Sequence, residues 1–277
     1  MSVPSSVSQS AAEKQQRLFA ALAQLDSVLV AFSGGADSAY LAWAAHRVLG
    51  ARALAVTALS PSFSTYDREQ AEAFVREIGL LHRWIATNEL ANPRYVANDA
   101  DRCFHCKDEL FRVLGRLAAE QGYAAVAYGI NADDTRDFRP GHRAAREHRV
   151  LAPLLDAGLT KTEIRELSRA AGLRTWNRPA SACLASRVPY GTPVTPEVLA
   201  RVERAEAALR ALGFRQFRVR YHDALARIEI ALEELPRAFD PAMARLICER
   251  VKQAGFTFVT LDLEGYRQGS LNVLLNP

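Results

Sequence analysis

Two sets of residues in this sequence could do chemistry. The first is Ser33-Gly34-Gly35-Ala36-Asp37-Ser38, which follows the apolar run Val28-Leu29-Val30-Ala31-Phe32. Adjacent glycines let the backbone turn sharply and approach a ligand closely. A helix opening at Ser38 would aim its first N–H groups at an anion. Ser33 and Ser38 add hydroxyl donors, and Asp37 is placed to meet a metal ion or a donor rather than a phosphate. The spacing differs from the Walker loop, which ends in Gly-Lys-Ser/Thr.

The second set is the thiols. Cys103-Phe104-His105-Cys106-Lys107 carries a Cys-x-x-Cys, and Cys183 sits in Pro179-Ala-Ser-Ala-Cys183-Leu-Ala-Ser-Arg187-Val-Pro-Tyr190-Gly191. Cys-x-x-Cys serves as a redox pair, half a zinc site or half an iron–sulfur site. A thioredoxin-like pair would follow a first strand, which is not its place here. A structural zinc needs four ligands, and His105 or His142 would have to complete it. Cys103, Cys106 and Cys183 together could hold a 4Fe–4S cluster with one iron left open. Alternatively Cys183 acts alone, activated by Arg187 and a helix terminus. Cys248 falls on the apolar side of a helix near Leu246 and Val251 and reads as a core residue.

The elements that must position these groups follow from periodicity. Residues 11–25 have apolar positions at helical spacing. Strand 28–32, the glycine loop and helix 38–49 come next. Strand 52–59 ends at Ser60-Pro61, followed by an amphipathic helix over 65–78 and a third strand over 81–86. The pattern continues with helix 107–121 and a fourth strand over 124–128. This alternation predicts an α/β fold with a doubly wound parallel sheet. Ligands of such sheets sit at the carboxyl ends of the strands, so Ser33, Ser60 and Gly129 should share one rim. Residues 150–155 read as a further short strand and 161–171 as a helix. Residues 177–194 lack periodicity and contain three prolines. Beyond Pro196 the texture changes to helix 197–212, strands 216–221 and 226–230, helix 241–254 and strand 256–261. The expected organisation is a disordered tail (1–10), a large domain (11–194) and a smaller α+β domain (195–277). Arg218 and Arg220 alternate along a strand and so point to one face, with Glu206 on the preceding helix.

The 277 residues are 49% hydrophobic, which suffices for a sizeable core. The net charge of +4 does not call for a nucleic-acid partner, and only four of the 35 basic residues are lysines: Lys14, Lys107, Lys161 and Lys252. No apolar run is long enough for a membrane span. The first residues lack the pattern of a secretory signal. A cytoplasmic location is expected, where cysteines serve metals or catalysis rather than disulfides.

Residues 33–38 resemble the PP-loop, Ser-Gly-Gly-x-Asp-Ser, of enzymes that split ATP into AMP and pyrophosphate. Further runs make the resemblance more specific. They are Arg102 to Lys107, Gly129-Ile-Asn131-Ala-Asp133-Asp134, Asp137-Phe-Arg139-Pro140-Gly141, Pro153-Leu-Leu-Asp-Ala-Gly158-Leu-Thr160-Lys161-Thr-Glu163-Ile-Arg165, and the Cys183 segment. Jointly they resemble the LarE family, PP-loop sulfur transferases of nickel-pincer nucleotide cofactor biosynthesis, over nearly the whole chain.

The resemblance implies a PP-loop ATP pyrophosphatase domain of the adenine nucleotide alpha hydrolase-like type. It implies ATP, Mg2+ and, with three cysteines, a 4Fe–4S cluster on Cys103, Cys106 and Cys183 that passes on bound sulfide. A sulfide or another sulfur donor is then a partner. Some members instead sacrifice the cysteine that matches Cys183. The implied substrate is a small nucleotide, pyridinium-3,5-biscarboxylic acid mononucleotide, whose carboxylate is adenylated before sulfur displaces AMP. Cys183, Asp37 and Lys107 would be catalytic. Ser33, Gly34, Gly35, Asp37, Ser38, Ser60 and Gly129 would bind nucleotide, while Arg187, Arg218 and Arg220 would meet the substrate's anionic groups. Asp133 and Asp134 read equally as magnesium ligands or polar turn residues. A homo-oligomer is expected. The competing classes are a PP-loop tRNA thiolase, which would need a stronger basic surface, an ammonia-using PP-loop synthetase, and a non-enzymatic metal protein.

Overall fold

Val28 and Val30 face one apolar layer and Leu29 the other, and this alternation sets the architecture around the first strand. The structure is a computed structural model that describes residues 7–136, 141–179, 181–267 and 269–271. Asp137, Arg139 and Pro140 of the motif runs, and residues 1–6 of the expected tail, lie outside the described residues. In chain order the elements are α1 (Gln9–Ala23), β1 (Val28–Ala31), α2 (Ala36–Leu49), β2 (Ala53–Leu59), α3 (Thr65–Ile78) and β3 (His82–Ala86). Then come α4 (Pro93–Val96), α5 (Arg102–Gln121), β4 (Ala125–Tyr128), α6 (Gly141–Glu147), α7 (Pro153–Asp156) and α8 (Lys161–Ala170). The last are α9 (Pro196–Ala211), β5 (Phe217–His222), β6 (Leu225–Ile230), α10 (Leu235–Ala238), α11 (Pro241–Gln253) and β7 (Phe258–Leu261).

The chain forms two units. The first comprises the residues up to Ser60 together with Asp67–Glu89 and Cys103–Ser181. Its four strands are parallel in the order β3-β2-β1-β4. On one face α1, α2, α3 and α8 contribute Leu18, Leu22, Tyr40, Leu41, Phe74 and Ile164 to the core. On the other face α5 and α6 contribute Phe111, Leu114, Leu117 and Ala144. The fold is therefore α/β, a parallel sheet with helices on both faces. Buried Ala39, Ala42, Ala44 and Ala45 keep α2 slim where it lies within its layer. Because the strands are parallel, the residues after β1, β2 and β4 fall on the same edge of the sheet, as expected for Ser33, Ser60 and Gly129.

Four local expectations change. The opening helix starts at Gln9 rather than residue 11, because the Ser8 hydroxyl caps it by accepting from the Ala11 N–H at 3.3 Å. Helix α5 starts at Arg102, so Cys103 and Cys106 lie on helix rather than at a loop's end. The strand expected over 150–155 shrinks to one bridge between Leu151 and Ala127. Pro153, which lacks an N–H for a ladder, begins α7 instead. Cys248 is half-buried, because α11 turns Ile247 and Val251 inward and leaves Leu246 exposed.

The second unit comprises Pro61–Tyr66, Leu90–Arg102 and the residues from Ala182 onward. Its sheet has the order β5-β6-β7, with β5 antiparallel and β7 parallel to β6. Helix α9 packs on β5 and α11, burying Leu199, Val202 and Leu209. Phe217, Val219 and Tyr221 point to one side of β5, leaving Arg218 and Arg220 on the other. Among the described residues no helix is long and apolar enough to cross a membrane.

Candidate functional site

The glycine loop is built for close approach. Gly34 has φ +75°, a conformation that L side chains rarely adopt. A Cβ there would stand 3.1 Å from Arg178 Nη1 and 3.2 Å from Ala71 Cβ. The Ser33 N–H donates to Ser38 Oγ at 3.2 Å, the two hydroxyls meet at 3.1 Å, and Ser38 Oγ donates to the Gly35 carbonyl at 3.1 Å. The loop therefore holds its own shape. Helix α2 starts at Ala36 with Gly35 as its N-cap, and no side chain among the described residues caps it. Its first N–H groups, with the positive end of the helix dipole, remain for an anion. Across the rim, Gly129 lies so close that a Cβ would sit 2.8 Å from Ser38 N and 2.9 Å from Ser38 Cα. Only glycine lets the end of β4 lie against the first turn of α2. Ser60 directly follows β2 and is half-buried.

Asp37, in the first turn of α2, forms an ion pair with Lys161 through Oδ2. Its Oδ1 is buried and has no hydrogen-bond partner among the described residues. Burial pushes the Asp37 carboxyl above its ordinary range, Lys161 opposes that rise, and the nearby Asp134 charge adds to it. Lys161 is the first residue of α8, and the run 158–163 explains its placement. Gly158 takes φ +73°, and Thr160 and Glu163 form a reciprocal capping box. Lys14 holds the Glu163 carboxylate at 2.7 Å. Burial works to raise the Glu163 carboxyl, but the Lys14 and Thr160 contacts bring it below its usual range. Asp133 Oδ2 accepts the Lys161 N–H at 2.8 Å, and Asp134 Oδ2 accepts the Asn131 N–H at 3.1 Å. Both carboxylates thus serve the turn that seats α8.

Arg178 reaches the loop from the opposite end of the first unit's sequence. It donates from Nη1 to the Gly34 carbonyl and from Nη2 to Asp67 Oδ1, each at 2.6 Å. Lys107 lies one turn into α5, its stem against Gly141 and its ammonium 5.7 Å from the Phe111 ring centre. Cys103 is exposed and Cys106 half-buried, one helical turn apart in α5. None of the four cysteines forms a disulfide. No group of three His, Cys, Asp or Glu side chains placed to hold a metal ion exists among the described residues.

In the second unit Cys183 is exposed and immediately precedes a 3₁₀ turn over Leu184–Arg187. The polar, proline-rich run around it is held by side chains. The Arg187 guanidinium is 3% exposed and grips Glu206 with two bonds, Nε to Oε1 at 2.8 Å and Nη2 to Oε2 at 2.9 Å. Its Nη1 donates to the Cys183 carbonyl at 2.9 Å and to Ser186 Oγ at 3.0 Å. Arg187 is therefore engaged in fixing the Cys183 segment. Arg102 donates to the Ala185 carbonyl at 2.8 Å, and buried Asn98 donates to the Pro189 and Thr192 carbonyls at 2.7 and 2.8 Å.

Arg220, also buried, meets the Ser186 carbonyl at 2.9 Å, and Glu229 and Ser270 at 2.8 Å each. Arg218 packs 5.1 Å from the Tyr266 ring centre. Burial and the neighbouring Arg187 push its guanidinium down to about 10, so it stays charged at neutral pH. Arg187, Arg218 and Arg220 face Glu206 and Glu229, an excess of positive charge. Burial acts to raise the Glu206 carboxyl, but Arg187 and Arg218 outweigh it and hold the group below its ordinary range.

The structure thus joins Ser33, Gly34, Gly35, Asp37, Ser38 and Gly129 in one loop site. Arg187, Arg218 and Arg220 form a second cluster. Arg178, Asp67 and Asn98 are additions that sequence reasoning did not single out, and Lys161 and Arg102 were quoted within motif runs but given no site role. Lys161 had two available signals, its rarity among 35 basic residues and its place in the run 158–163.

No protein-family model matches the chain. It is 45% identical over 252 residues to an uncharacterised protein of Synechocystis sp., covering 91% of this chain and 94% of that protein. It is 27% identical over 240 residues to an uncharacterised protein of Methanocaldococcus jannaschii, covering 87% and 90% respectively. It is also 36% identical over 264 residues to the pyridinium-3,5-bisthiocarboxylic acid mononucleotide synthase of Lactiplantibacillus plantarum, covering 94% of both chains. With the glycine loop, Lys161 and the Cys183 segment arranged as described, that identity settles the relationship: the chain belongs to the LarE family, that of the pyridinium-3,5-bisthiocarboxylic acid mononucleotide synthase.

Proposed function

We propose that the chain is an ATP-dependent, AMP-forming sulfur transferase. It converts a carboxylate of pyridinium-3,5-biscarboxylic acid mononucleotide into a thiocarboxylate, with a PP-loop fold in its first unit. The single observation that carries this reading is the loop at residues 33–38, in a chain 36% identical to a named synthase of the bisthiocarboxylic acid mononucleotide. That loop pairs a positive-φ Gly34 with an α2 N-terminus that no side chain among the described residues caps.

A carboxylate is a poor electrophile. Its oxygen attacks the α-phosphorus of ATP and pyrophosphate leaves, giving an acyl adenylate. A sulfur nucleophile then adds to the acyl carbon and AMP departs with the carboxylate oxygen. The N–H groups at the start of α2 and the Ser33 hydroxyl suit the pyrophosphate, which develops charge as it leaves, while Ser38, its proton held by the Gly35 carbonyl, shapes the loop. Asp37 is a candidate for magnesium, because its carboxylate is buried beside the loop and its Oδ1 has no close hydrogen-bond partner among the described residues, Asn131 being a neighbouring donor. Such an ion would offset phosphate charge. The cationic excess of Arg187, Arg218 and Arg220 suits the substrate's phosphate and carboxylate. Lys107 remains a candidate for neutralising developing charge.

For sulfur, we assign Cys103, Cys106 and Cys183. The 4Fe–4S form rests on the family resemblance and the number of thiols alone; among the described residues no three metal-ligating side chains are gathered. The second reading is sacrifice of the Cys183 sulfur, favoured by its exposure. Anaerobic purification followed by iron, sulfide and zinc analysis separates them, with mass spectrometry of Cys183 after turnover. About four irons per chain, lost in Cys183→Ala, with Cys183 intact after turnover supports the cluster. Iron-free protein that loses the Cys183 sulfur supports sacrifice. Stoichiometric zinc without sulfur loss defeats both. The cytoplasm and a homo-oligomer complete the proposal.

A further inference from the structure

Asp67 stands in the first turn of α3 and is only 8% exposed. Arg178 and Ser181 both reach its carboxylate. Arg178 Nη2 donates to Oδ1 at 2.6 Å, and the Ser181 hydroxyl lies 2.9 Å from Oδ1 and 3.1 Å from Oδ2. The other arm of Arg178 holds the Gly34 carbonyl at 2.6 Å, and its guanidinium side chain is 11% exposed. Arg165 in turn donates to the Arg178 carbonyl at 3.1 Å, which fixes the root of that side chain.

These bonds have a directional consequence. In a planar trans peptide the carbonyl and the following N–H point in opposite directions. Holding the Gly34 oxygen on Arg178 therefore aims the Gly35 N–H away from Arg178. Gly34, at φ +75°, has no side chain to resist rotation of that peptide, and the loop's own serine bonds do not reach the Gly34 carbonyl, which Arg178 holds. Ser181 is two residues ahead of Cys183 in the chain. One carboxylate thus anchors both the peptide that shapes the nucleotide loop and the start of the segment carrying the thiol.

We propose that Asp67 is a shared positioning residue: through Arg178 it orients the Gly34–Gly35 peptide for nucleotide, and through Ser181 it anchors the chain entering the Cys183 segment. This rests on the sulfur-transferase reading for its purpose, but the two arms can be read without turnover. The first readout is the Kd for ATP by calorimetry. The second is the rate of Cys183 alkylation by iodoacetamide, mapped by mass spectrometry. Arg178→Gln should raise the ATP Kd about tenfold, since charge-assisted bonds are lost, and leave Cys183 alkylation within about twofold. Ser181→Ala should leave the ATP Kd within about twofold and change Cys183 alkylation at least about threefold. Asp67→Asn should move both, and Asp67→Glu should restore part of each. Melting curves establish that each variant is folded. If Asp67→Asn is unfolded, the Arg178→Gln and Ser181→Ala pair still decides between split and common effects. Folded variants in which Arg178→Gln and Ser181→Ala shift both readouts alike, or neither, overturn the proposal. A wild-type chain that binds no ATP defeats the nucleotide reading instead. The thiol anchor then stands or falls on whether Ser181→Ala and Asp67→Asn change alkylation.

Discussion

Replacing Gly129 with alanine tests the close approach on which the loop site depends. The added Cβ would stand 2.8 Å from Ser38 N, 2.9 Å from Ser38 Cα and 3.0 Å from the Asp37 carbonyl carbon. All three neighbours are backbone in the first turn of α2, so no side chain can swing aside. Ordinary Cβ contacts begin at 3.4 Å, and the end of β4 and the helix start must part by about 0.6 Å. Overpacking of this kind costs about 1–3 kcal/mol, or roughly 2–12 °C in melting temperature for a domain of this size. The helix start that moves is the one whose N–H groups are proposed to meet the anion. ATP affinity should therefore fall by at least about tenfold, more than the stability loss alone would cause. Gly115→Ala is the control. Gly115 lies exposed within α5, where an added Cβ would meet nothing within 4 Å, and the variant should gain about 0.5–1 kcal/mol from helix propensity. Thermal melting and calorimetry with ATP read both variants. A Gly129→Ala chain that melts and binds ATP like the parent would refute the reasoning.

Further expectations concern the surrounding ion pairs and caps. Lys161→Ala removes the cation that opposes the burial-driven rise of Asp37, so carbon-detected NMR titration should find the Asp37 carboxyl raised further; an unchanged titration would show that the pair is not formed in solution. Glu206→Gln removes a buried bidentate partner of Arg187 and should cost about 3 kcal/mol in urea unfolding. The sign of the pH effect follows from Glu206 being held below 4.5. Its contribution to stability is complete above that value and disappears as pH falls through the lowered folded value, so Glu206→Gln should flatten the acid limb of the stability curve. Thr160→Ala breaks the capping box of α8 and should cost about 1 kcal/mol, read by the same unfolding experiment.

The features legible in the sequence were those set by near neighbours. Apolar runs at 28–32 and 52–59 gave buried strands, and the glycines and serines at 33–38 gave a loop entering a helix. The run 158–163 was recognisable as a motif, but its physical content, a capping box that seats Lys161, emerged only with the fold. Lys161 meets Asp37 across 124 positions and Arg178 meets Asp67 across 111, and no local pattern encodes such pairs. Asn98 is fully buried, with φ +57° and its amide spent on the carbonyls of the Cys183 segment, which nothing in its neighbourhood announces. The strand expected over 150–155 failed for a local reason that was visible, since Pro153 opens a helix more readily than it extends a ladder. Cys248 was misjudged because α11 turns its inward face one residue earlier, to Ile247.

Adenylation of the carboxylate at the residue 33–38 loop before sulfur enters is the step proposed for this chain. It is tested most directly with pyridinium-3,5-biscarboxylic acid mononucleotide carrying heavy oxygen in its carboxylates, incubated with the chain, ATP, magnesium and sulfide. Mass spectrometry of the nucleotide products should find AMP with one labelled oxygen, accompanied by pyrophosphate and the thiocarboxylate. Unlabelled AMP, or ADP with phosphate in place of AMP, would contradict the account.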